Sequence, residues 1–329
     1  MSSHQVYRVF KEDSGISARF TEEKRPEIDQ GEVLIRVRYS SINYKDALGV
    51  TGRGKIYKKF PIVGGIDAAG VVGESRSEGL KEGDEVLVTG CGLGEIQDGG
   101  YGEYVKVPAS WVIPLPAGLT LKESMILGTA GFTAALCVHR MEQNDQKPAQ
   151  GPVLVTGASG GVGSLSVNIL AARGYEVEAC TSRDQHKDFL KKLGAVSFVT
   201  PGDLSGRKKP LEKGVWAGAV DNIGGEVLAG IVSSVKLWGN VASVGLVLDH
   251  NLNTTVMPFI LRGVSLLGIS SANCPRDIRV RLWERLSSDM KPAALHTILE
   301  KEISFQDLPE AFDPYMNRGV TGRRIVVFS

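Results

Sequence analysis

The sequence predicts an α/β protein that combines a β-rich module with a doubly wound parallel sheet. In the first third of the 329 residues, short runs alternate apolar and polar side chains, as half-buried strands do. After Gly151, strand-like runs alternate with helix-like runs, which is the pattern of βαβ units. The 40 glycines fall in clusters between apolar runs, so they indicate many tight turns rather than one flexible tract.

The individual elements follow from these patterns. In the β-rich module we expect strands at residues 32–39, 69–74, 85–89 and 104–107. In the alternating part we expect strands at residues 153–156, 175–180, 197–199, 217–221, 241–244 and 265–269. The helices expected beside them cover residues 129–138, 165–173 and 184–193. The chain is expected to end with amphipathic helices at 276–288 and 308–316 and a strand at 324–328.

Composition excludes several classes of function. With 38 basic and 37 acidic residues, the net charge of +1 gives no electrostatic reason to expect nucleic acid or an anionic membrane as the main partner. The four widely spaced cysteines do not form a disulfide framework. The first eleven residues are polar, and the longest apolar stretch, taken as residues 257–269, is interrupted by Arg262. We therefore expect a reduced protein of the cytoplasm.

A glycine-rich turn carries the strongest local signal. The run VLVTGASGGVG, residues 153–163, places a buried strand before a glycine turn and a helix after it. Glycine lets the backbone approach a pyrophosphate, and the helix N-terminus supplies N–H donors. Ala158, Gly160 and Gly163 have the spacing of a dinucleotide fingerprint, with alanine at its first position. The alternative is a tight turn that binds nothing.

The end of the next strand predicts which dinucleotide is bound. Thr181, Ser182 and Arg183 stand there, and the first carboxylate is Asp184. An acid at this point would accept a hydrogen bond from a free ribose 2′-hydroxyl, whereas arginine suits a 2′-phosphate. The sequence therefore predicts NADPH rather than NADH, unless Arg183 is merely a solvated residue at a helix start.

Two further observations concern the rest of the site. Gly245 follows the strand at 241–244, where it would let the nicotinamide lie against backbone or simply form a strand-end turn. The five histidines are scattered, and none pairs with a cysteine at a recognisable metal-ligand spacing. We therefore predict no metal site.

Seven motifs give the sequence a family resemblance: residues 41–46 (SINYKD), 61–70 (PIVGGIDAAG), 99–104 (GGYGEY), 125–133, 156–163, 215–221 (VWAGAVD) and 254–262 (TTVMPFILR). On these motifs, the chain resembles the zinc-free, quinone-oxidoreductase-like branch of the medium-chain dehydrogenase/reductase superfamily, and within it the acryloyl-coenzyme A reductase subfamily. The resemblance implies a GroES-like catalytic domain split around a Rossmann domain, with the active site in the cleft. The implied limits are 1–124 for the catalytic domain, 125–262 for the Rossmann domain, and 263–329 for a segment completing both. Zinc-using relatives place a cysteine near Ser40 and Gly-His-Glu near residues 65–67, and both are absent here.

The resemblance also implies site residues. Tyr44 is implied as a cofactor contact and is our candidate catalytic hydrogen-bond donor, although it could instead only position the nicotinamide. The other implied NADPH contacts are Ser159, Gly160, Gly161, Val162, Thr181, Ser182, Arg183, Leu246, Ile260, Ser271 and Asn317. One arginine position of the family is Ser197 here, which removes one potential phosphate contact.

The implied activity is hydride transfer from NADPH to the activated C=C bond of a short 2-enoyl thioester, converting acryloyl-CoA to propanoyl-CoA. The alternatives are a reductase of quinones or α,β-unsaturated ketones, and a non-catalytic NADPH-binding protein. Relatives usually form homodimers through the Rossmann domain, so a homodimer is expected. Arg53, Lys55, Lys58 and Lys59 form a basic stretch that could meet the phosphates of coenzyme A or could be a solvated face.

Overall fold

The computed structural model describes residues 3–329, which form two compact units. Unit 1 comprises the chain up to Thr129 together with Ala272–Ser287 and Leu299–Ser329, and unit 2 comprises Ala130–Ser271 and Ser288–Ile298. The chain therefore leaves unit 1 twice, after Thr129 and after Ser287, and returns to it each time, so that it ends in unit 1. The limits predicted for the catalytic and Rossmann domains, at residues 124 and 262, are not tested by this division into compact units and stay a prediction.

The strands, in chain order, are β1 (Ser3–Glu12), β2 (Gly15–Lys24), β3 (Glu32–Ile42), β4 (Ile62–Val63), β5 (Asp67–Ser75), β6 (Glu85–Thr89), β7 (Tyr104–Pro108), β8 (Ile113–Pro114), β9 (Val153–Val155), β10 (Val177–Cys180), β11 (Ala195–Val199), β12 (Trp216–Asp221), β13 (Val235–Ser243), β14 (Ser265–Gly268), β15 (Leu299–Ser304) and β16 (Arg323–Val327). The α-helices are α1 (Tyr44–Val50), α2 (Leu121–Gln143), α3 (Gly161–Ala172), α4 (Lys187–Lys192), α5 (Pro201–Ser205), α6 (Gly225–Ser234), α7 (Met257–Arg262), α8 (Arg276–Leu286), α9 (Leu295–Ile298) and α10 (Asp313–Met316). Short 3₁₀ turns connect several of them.

Unit 1 is built on strand β3. Its main sheet has the order β15-β16-β3-β5-β6-β8, with β7 also paired to β3, and a second sheet has the order β2-β1-β4. All pairs are antiparallel except β15 with β16. Val33, Leu34 and Ile35 at the start of β3 are fully buried, as expected for a strand paired along both edges. The predicted β-rich module is confirmed.

Unit 2 contains a six-stranded parallel sheet with the order β11-β10-β9-β12-β13-β14. The strand order reverses between β9 and β12, which is the arrangement of a doubly wound dinucleotide-binding sheet. Val153, Leu154 and Val155 of β9 are fully buried, which explains why this strand reads as a continuous apolar run. The predicted doubly wound fold is confirmed.

Some element limits differ from the sequence prediction. The helix predicted at 308–316 is wrong: a 3₁₀ turn over Phe305–Glu310 precedes the short helix α10. Pro309 lies inside that turn and has no N–H to donate, so an α-helix could not run through it without losing a bond. The strand predicted at 241–244 begins earlier, at Val235, and contains Trp238 with a φ of 58°.

Helix α2 is longer than predicted and is interrupted at Gly128, whose φ of 51° and ψ of −155° are not helical. In the part of the chain that the structure describes, α2 alone is long and apolar enough for a membrane span, and 78% of its most apolar stretch is buried. Such burial is typical of the core helix of a folded protein. The prediction that residues 257–269 are the longest apolar stretch is wrong, because the apolar part of α2 is longer.

Candidate functional site

The glycine-rich turn of unit 2 lies at the carboxyl end of β9, where the strand order reverses. Gly157 has a φ of 55°, a conformation that favours glycine. A Cβ atom on Gly163 would lie 2.2 Å from the Gly157 carbonyl oxygen and 2.7 Å from the Ala158 Cα atom. The two glycines therefore let the turn fold tightly against the start of α3.

Helix α3 begins directly after this turn, with Gly160 as its N-cap and no capping side chain. The first N–H groups of a helix have no intrahelical partner, so those at Gly161 and Val162 point out of its N-terminus. A side chain on Gly160 would meet only the Gly157 carbonyl oxygen, at 3.4 Å, so the space in front of the turn is open. Ser159, Gly160, Gly161 and Val162 are all partly accessible. This cradle fits a pyrophosphate, which needs N–H donors and close backbone approach.

Thr156 and Asp221 tie the ends of β9 and β12 together at the same point. The Thr156 hydroxyl donates to Asp221 at 2.7 Å, and the same Asp221 carboxylate accepts the Gly224 N–H at 2.8 Å. Asn222 donates to the Thr156 carbonyl oxygen at 2.8 Å, while its own side-chain oxygen is buried with no hydrogen-bond partner in the structure. Sequence reasoning assigned no role to these three residues. They fix the floor of the crevice in which a dinucleotide is bound by such sheets.

Arg183 lies just beyond β10, the neighbour of β9, so Thr181–Arg183 reaches the same sheet edge as the glycine turn. The Arg183 N–H donates to the Thr181 hydroxyl at 3.2 Å, which orders the turn. Thr181 is buried, Ser182 is exposed and Arg183 is half-buried. The structure thus brings together the two predicted parts of the phosphate site within one unit.

The acid nearest to Arg183 is already engaged. Asp184 is 93% exposed and forms an ion pair with Lys187 at 2.7 Å, which lowers the pKa of Asp184. Burial and then the positive charge of Arg183 lower the pKa of His186. Arg183 therefore stands beside an acid that already has a lysine partner and beside a histidine whose pKa its positive charge lowers.

The remaining predicted contacts in unit 2 lie at the ends of later elements. A Cβ atom on Gly245 would lie 2.1 Å from the Asn222 carbonyl oxygen, so packing within the chain already requires glycine there. Leu246 is 66% exposed after β13, and Ile260 is 71% exposed on α7. Ser271 is the last residue of unit 2 before the chain enters unit 1.

The two cofactor contacts predicted in unit 1 lie at the ends of two helices that pack together, α1 and α10. Tyr44 is the first residue of α1 and is 42% exposed. Asn317 follows α10 and is exposed. The Tyr315 hydroxyl of α10 donates to the Ile42 carbonyl oxygen at 2.9 Å, which holds this helix against the start of α1.

A buried polar network supports the position of Tyr44. Asp67, fully buried, accepts hydrogen bonds from Ser41 at 2.5 Å, Asn43 at 2.8 Å and the Thr129 hydroxyl at 2.6 Å. Asn43 is the N-cap of α1, immediately before Tyr44. The network therefore fixes the helix end from which Tyr44 projects.

Arg323 closes this network from β16. It is 2% exposed and donates to the Ile126 and Ile42 carbonyl oxygens at 3.0 and 3.2 Å. It also donates to the Asn43 side-chain oxygen at 3.1 Å and to the Ser41 hydroxyl at 2.9 Å. A Cβ atom on Gly128 would lie within 3 Å of Asp67, Arg323 and Ser41, so the kink in α2 makes room for the network.

Asp46 is the second buried acid of this region. It accepts hydrogen bonds from the N–H groups of Asn43 at 2.9 Å and Ile66 at 3.0 Å. Burial and then the negative charge of Asp67 raise the pKa of Asp46 to about 7. Asp46 is thus a buried acid with a raised pKa on the same helix as Tyr44.

The positions at which zinc-using relatives hold their metal do not fit zinc here. Ile66 has no ligating atom, the Ser40 hydroxyl donates to the Asp67 carbonyl oxygen at 2.7 Å, and the Asp67 carboxylate accepts three side-chain donors. Among residues 3–329, the structure has no group of three or more His, Cys, Asp or Glu that could hold a metal ion.

A cavity of about 470 Å³ in unit 2 lies away from the glycine turn, near the amino ends of β12 and β13. It is lined by Gln150, Gly214, Ala217, Lys236, Leu237 and Arg262. The Arg262 guanidinium is occupied by the carbonyl oxygens of Ser233, Val235 and Glu212. The cavity is thus separate from the candidate cofactor site.

Two family models match the chain. The alcohol dehydrogenase GroES-like domain matches residues 29–117, and the zinc-binding dehydrogenase model matches residues 161–288. The first match lies in unit 1, and most of the second lies in unit 2.

Full-length relatives are similar over nearly the whole chain. A Bacillus subtilis protein named as a quinone oxidoreductase, YhfP, is 46% identical over 323 residues, 98% of each chain. The acrylyl-CoA reductase AcuI of Ruegeria pomeroyi is 44% identical over 297 residues, 90% of each chain.

Solved structures of two such proteins have the same fold. The crystal structure of YhfP with NAD bound gives a TM-score of 0.96 at 45% identity, covering 99% of this chain and 100% of that one. The yhdH oxidoreductase of Salmonella enterica in complex with NADP gives 0.95 at 41% identity, with the same coverage.

Proposed function

The chain belongs to the quinone-oxidoreductase-like branch of the medium-chain dehydrogenase/reductase superfamily, which includes YhfP and AcuI. We propose that it is an NADPH-dependent enoyl-thioester reductase. It is an oxidoreductase. The proposed reaction is the reduction of the activated C=C bond of a short 2-enoyl thioester, with acryloyl-CoA going to propanoyl-CoA. The similarity to AcuI supports this substrate, and the similarity to YhfP supports the alternative of a quinone or enone.

The observation that carries the cofactor assignment is the pairing of the glycine cradle with Arg183 at one sheet edge. The cradle would take the pyrophosphate through the Gly161 and Val162 N–H groups. Arg183 and the exposed Ser182 would take the 2′-phosphate through charge-assisted hydrogen bonds. Two solved relatives contain NAD and NADP respectively, and we propose Arg183 as the residue of this chain that favours NADPH.

When bound, NADPH supplies the hydride for the β-carbon of the substrate. As that carbon is attacked, negative charge develops on the carbonyl oxygen of the thioester, and a hydrogen bond to this oxygen stabilises the transition state. The resulting enolate then takes up a proton from water at its α-carbon, which completes the saturated thioester. Tyr44 is our proposed donor, since its phenol is partly exposed and its helix is fixed by the buried network. The remaining predicted contacts, Leu246, Ile260, Ser271 and Asn317, are proposed to position the nicotinamide half of the cofactor.

Substrate comparison tests the proposed activity. Initial rates of NADPH oxidation are measured with acryloyl-CoA, a benzoquinone and methyl vinyl ketone, with NADH as the cofactor control. The proposal expects turnover with NADPH and a clear preference for the thioester. Equal or better turnover of the quinone or enone would favour the YhfP-like alternative. Tight NADPH binding without any turnover would instead favour a non-catalytic NADPH-binding protein.

Tyr44→Phe tests the catalytic role of this residue. Loss of one hydrogen bond made in the transition state is expected to lower kcat about tenfold while KM for NADPH hardly changes. The matched control is Tyr104→Phe, which changes a half-buried tyrosine of unit 1 and is expected to keep the wild-type kcat. A higher KM for NADPH at unchanged kcat would show that Tyr44 only positions the cofactor.

We also propose that the protein is a homodimer through the β14 edge of unit 2. Strand β14 ends the parallel sheet, and the nearby Trp238 and Leu237 are 75% and 69% exposed. An edge strand beside exposed apolar side chains is a typical pairing surface. Trp238→Glu is therefore expected to convert a dimer to a monomer in light scattering. Val196→Glu, at a 64% exposed position on the opposite edge strand β11, should leave the mass unchanged. A monomeric wild type would contradict the proposal.

A further inference from the structure

The segment that follows helix α1, residues 51–61, is a positively charged loop, called the basic loop below. It carries Arg53, Lys55, Lys58 and Lys59, and all four side chains are exposed. No aspartate or glutamate occurs between Asp46 and Asp67 to balance them. Since the whole chain has a net charge of only +1, this loop is a local concentration of charge.

The four cations of the basic loop have no ion-pair partner among the residues that the structure describes. The acids on the neighbouring segment are already engaged. Glu95 pairs with Lys45 at 3.0 Å, and Asp98 pairs with Arg8 at 3.2 Å while accepting the Val63 N–H at 2.9 Å. The positive charge of the loop is therefore not neutralised within unit 1.

The basic loop is held in place by its own backbone and by Tyr57. The Lys58 N–H donates to the Glu95 carbonyl oxygen at 2.9 Å, and the Gly54 N–H donates to the Leu48 carbonyl oxygen at 3.0 Å. Tyr57 is only 8% exposed, and a Cβ atom on Gly49 of α1 would lie 2.7 Å from its ring. Fixed anchoring lowers the entropy lost when a charged ligand binds to the loop.

Helix α1 relates the loop to Tyr44. The helix has seven residues, with Tyr44 at its first position and the basic loop after its last. At the rise of an α-helix this spans about 10 Å. A ligand that places its reacting carbonyl at Tyr44 and its anionic end along α1 would therefore meet the four cations.

We propose that the basic loop is the subsite for the phosphate groups of a coenzyme A thioester and determines the preference for such substrates over small enones. The inference rests on the proposed function, because it takes Tyr44 as the position of the thioester carbonyl. The pyrophosphate and the 3′-phosphate of coenzyme A are multiply charged, and they gain charge-assisted hydrogen bonds from lysine and arginine. The pantetheine arm separates these phosphates from the thioester, as the helix separates the loop from Tyr44.

The test compares two thioesters that differ only in the phosphate-bearing part. The variant Arg53→Gln/Lys55→Gln/Lys58→Gln/Lys59→Gln and the wild type are assayed with acryloyl-CoA and with acryloyl-pantetheine, which lacks the nucleotide. In the wild type we expect a higher kcat/KM for the CoA thioester, and this advantage should shrink as salt is added. In the variant, KM for acryloyl-CoA should rise about tenfold at unchanged kcat. The kinetics with acryloyl-pantetheine should stay as in the wild type.

A matched control removes the same charge elsewhere on unit 1. Lys11, Lys24, Lys81 and Lys301 are exposed lysines outside the loop, and their simultaneous replacement by glutamine should leave both substrates unaffected. The inference is overturned if the loop variant keeps the wild-type preference for acryloyl-CoA. It is equally overturned if the loop variant and the control variant lose that preference to the same extent.

Failure of the proposed function remains distinguishable from failure of this inference. If the wild type reduces methyl vinyl ketone but neither thioester, the enoyl-thioester assignment fails. Inhibition of enone reduction by propanoyl-CoA, which carries the same phosphates but no free thiol to react with the enone, then tests the inference. Inhibition that is about tenfold weaker in the loop variant supports a phosphate subsite at the loop. Absence of inhibition in the wild type overturns it.

Discussion

Replacing Arg183 by alanine is expected to lower kcat/KM for NADPH about a hundredfold, because two charge-assisted hydrogen bonds to the 2′-phosphate are lost. The value for NADH, which has no such phosphate, should be unchanged or slightly higher. The expectation rests on the position of Arg183 at the carboxyl end of β10, beside the glycine cradle that follows β9. The next residue, Asp184, forms an ion pair with Lys187 at 2.7 Å.

The measurement is a pair of steady-state titrations with NADPH and NADH at a fixed saturating substrate concentration. Lys192→Ala is the control, since it removes an exposed positive charge at the end of the neighbouring helix α4. Only the Arg183 variant should change the ratio of the two cofactors. An equal loss with NADPH and NADH would mean that Arg183 supports the fold of the turn and does not read the phosphate.

Replacing Arg323 by glutamine is expected to destabilise unit 1 by about 3–5 kcal/mol, the usual effect of removing one partner from a buried charged network. The guanidinium makes four hydrogen bonds in the core, and its removal takes a donor from the Ile126 carbonyl oxygen and leaves the Ile42 carbonyl oxygen with the Tyr315 hydroxyl. Because Ser41 and Asn43 also lose a partner, the cap of α1 should loosen and Tyr44 should lose its fixed position.

Thermal unfolding of the two variants Arg323→Gln and Arg324→Gln gives the comparison. Arg324 is the next residue along β16, and its ion pair with Glu300 at 2.6 Å is partly exposed. We expect Tm to fall by about 10 °C for Arg323→Gln and by no more than about 2 °C for Arg324→Gln. Similar shifts for the two variants would contradict the structural role assigned to the buried network.

The sequence could place the glycine turn and Arg183 at one sheet edge because that placement depends on local features. A strand, a glycine turn and a helix follow one another within residues 153–172, and Arg183 follows the next strand directly. Neighbouring parallel strands bring such adjacent segments to one edge of a sheet. For this reason the sequence could indicate both parts of the proposed phosphate site, the glycine turn and Arg183.

The buried network around Asp67 could not be predicted in the same way. Ser41, Asp67, Thr129 and Arg323 are far apart in the chain, and no periodic pattern relates one to another. Arg323 looks like a surface residue in the sequence because it stands beside a second arginine, yet it is 2% exposed. Only the pairing of β16 with β3 brings it to Ser41 and Asn43.

The hairpin of β1 and β2 was missed for a related reason. Its side chains are mostly polar, and β2 buries none of its residues fully. A strand with little apolar alternation gives no signal until its partner is known. At Gly245 the sequence signal is ambiguous. A glycine there would suit a ligand crevice, but close packing against Asn222 requires glycine as well.

In the proposed reaction, this chain transfers hydride from NADPH to the β-carbon of an enoyl thioester. It is tested most directly by incubating the protein with acryloyl-CoA and NADPH that carries deuterium at the transferable position of the nicotinamide. Mass spectrometry and NMR of the product then locate the label. We expect propanoyl-CoA with one deuterium at C3, the former β-carbon. Unlabelled propanoyl-CoA, a label at C2, or unreacted acryloyl-CoA in the presence of an actively reduced quinone would contradict it.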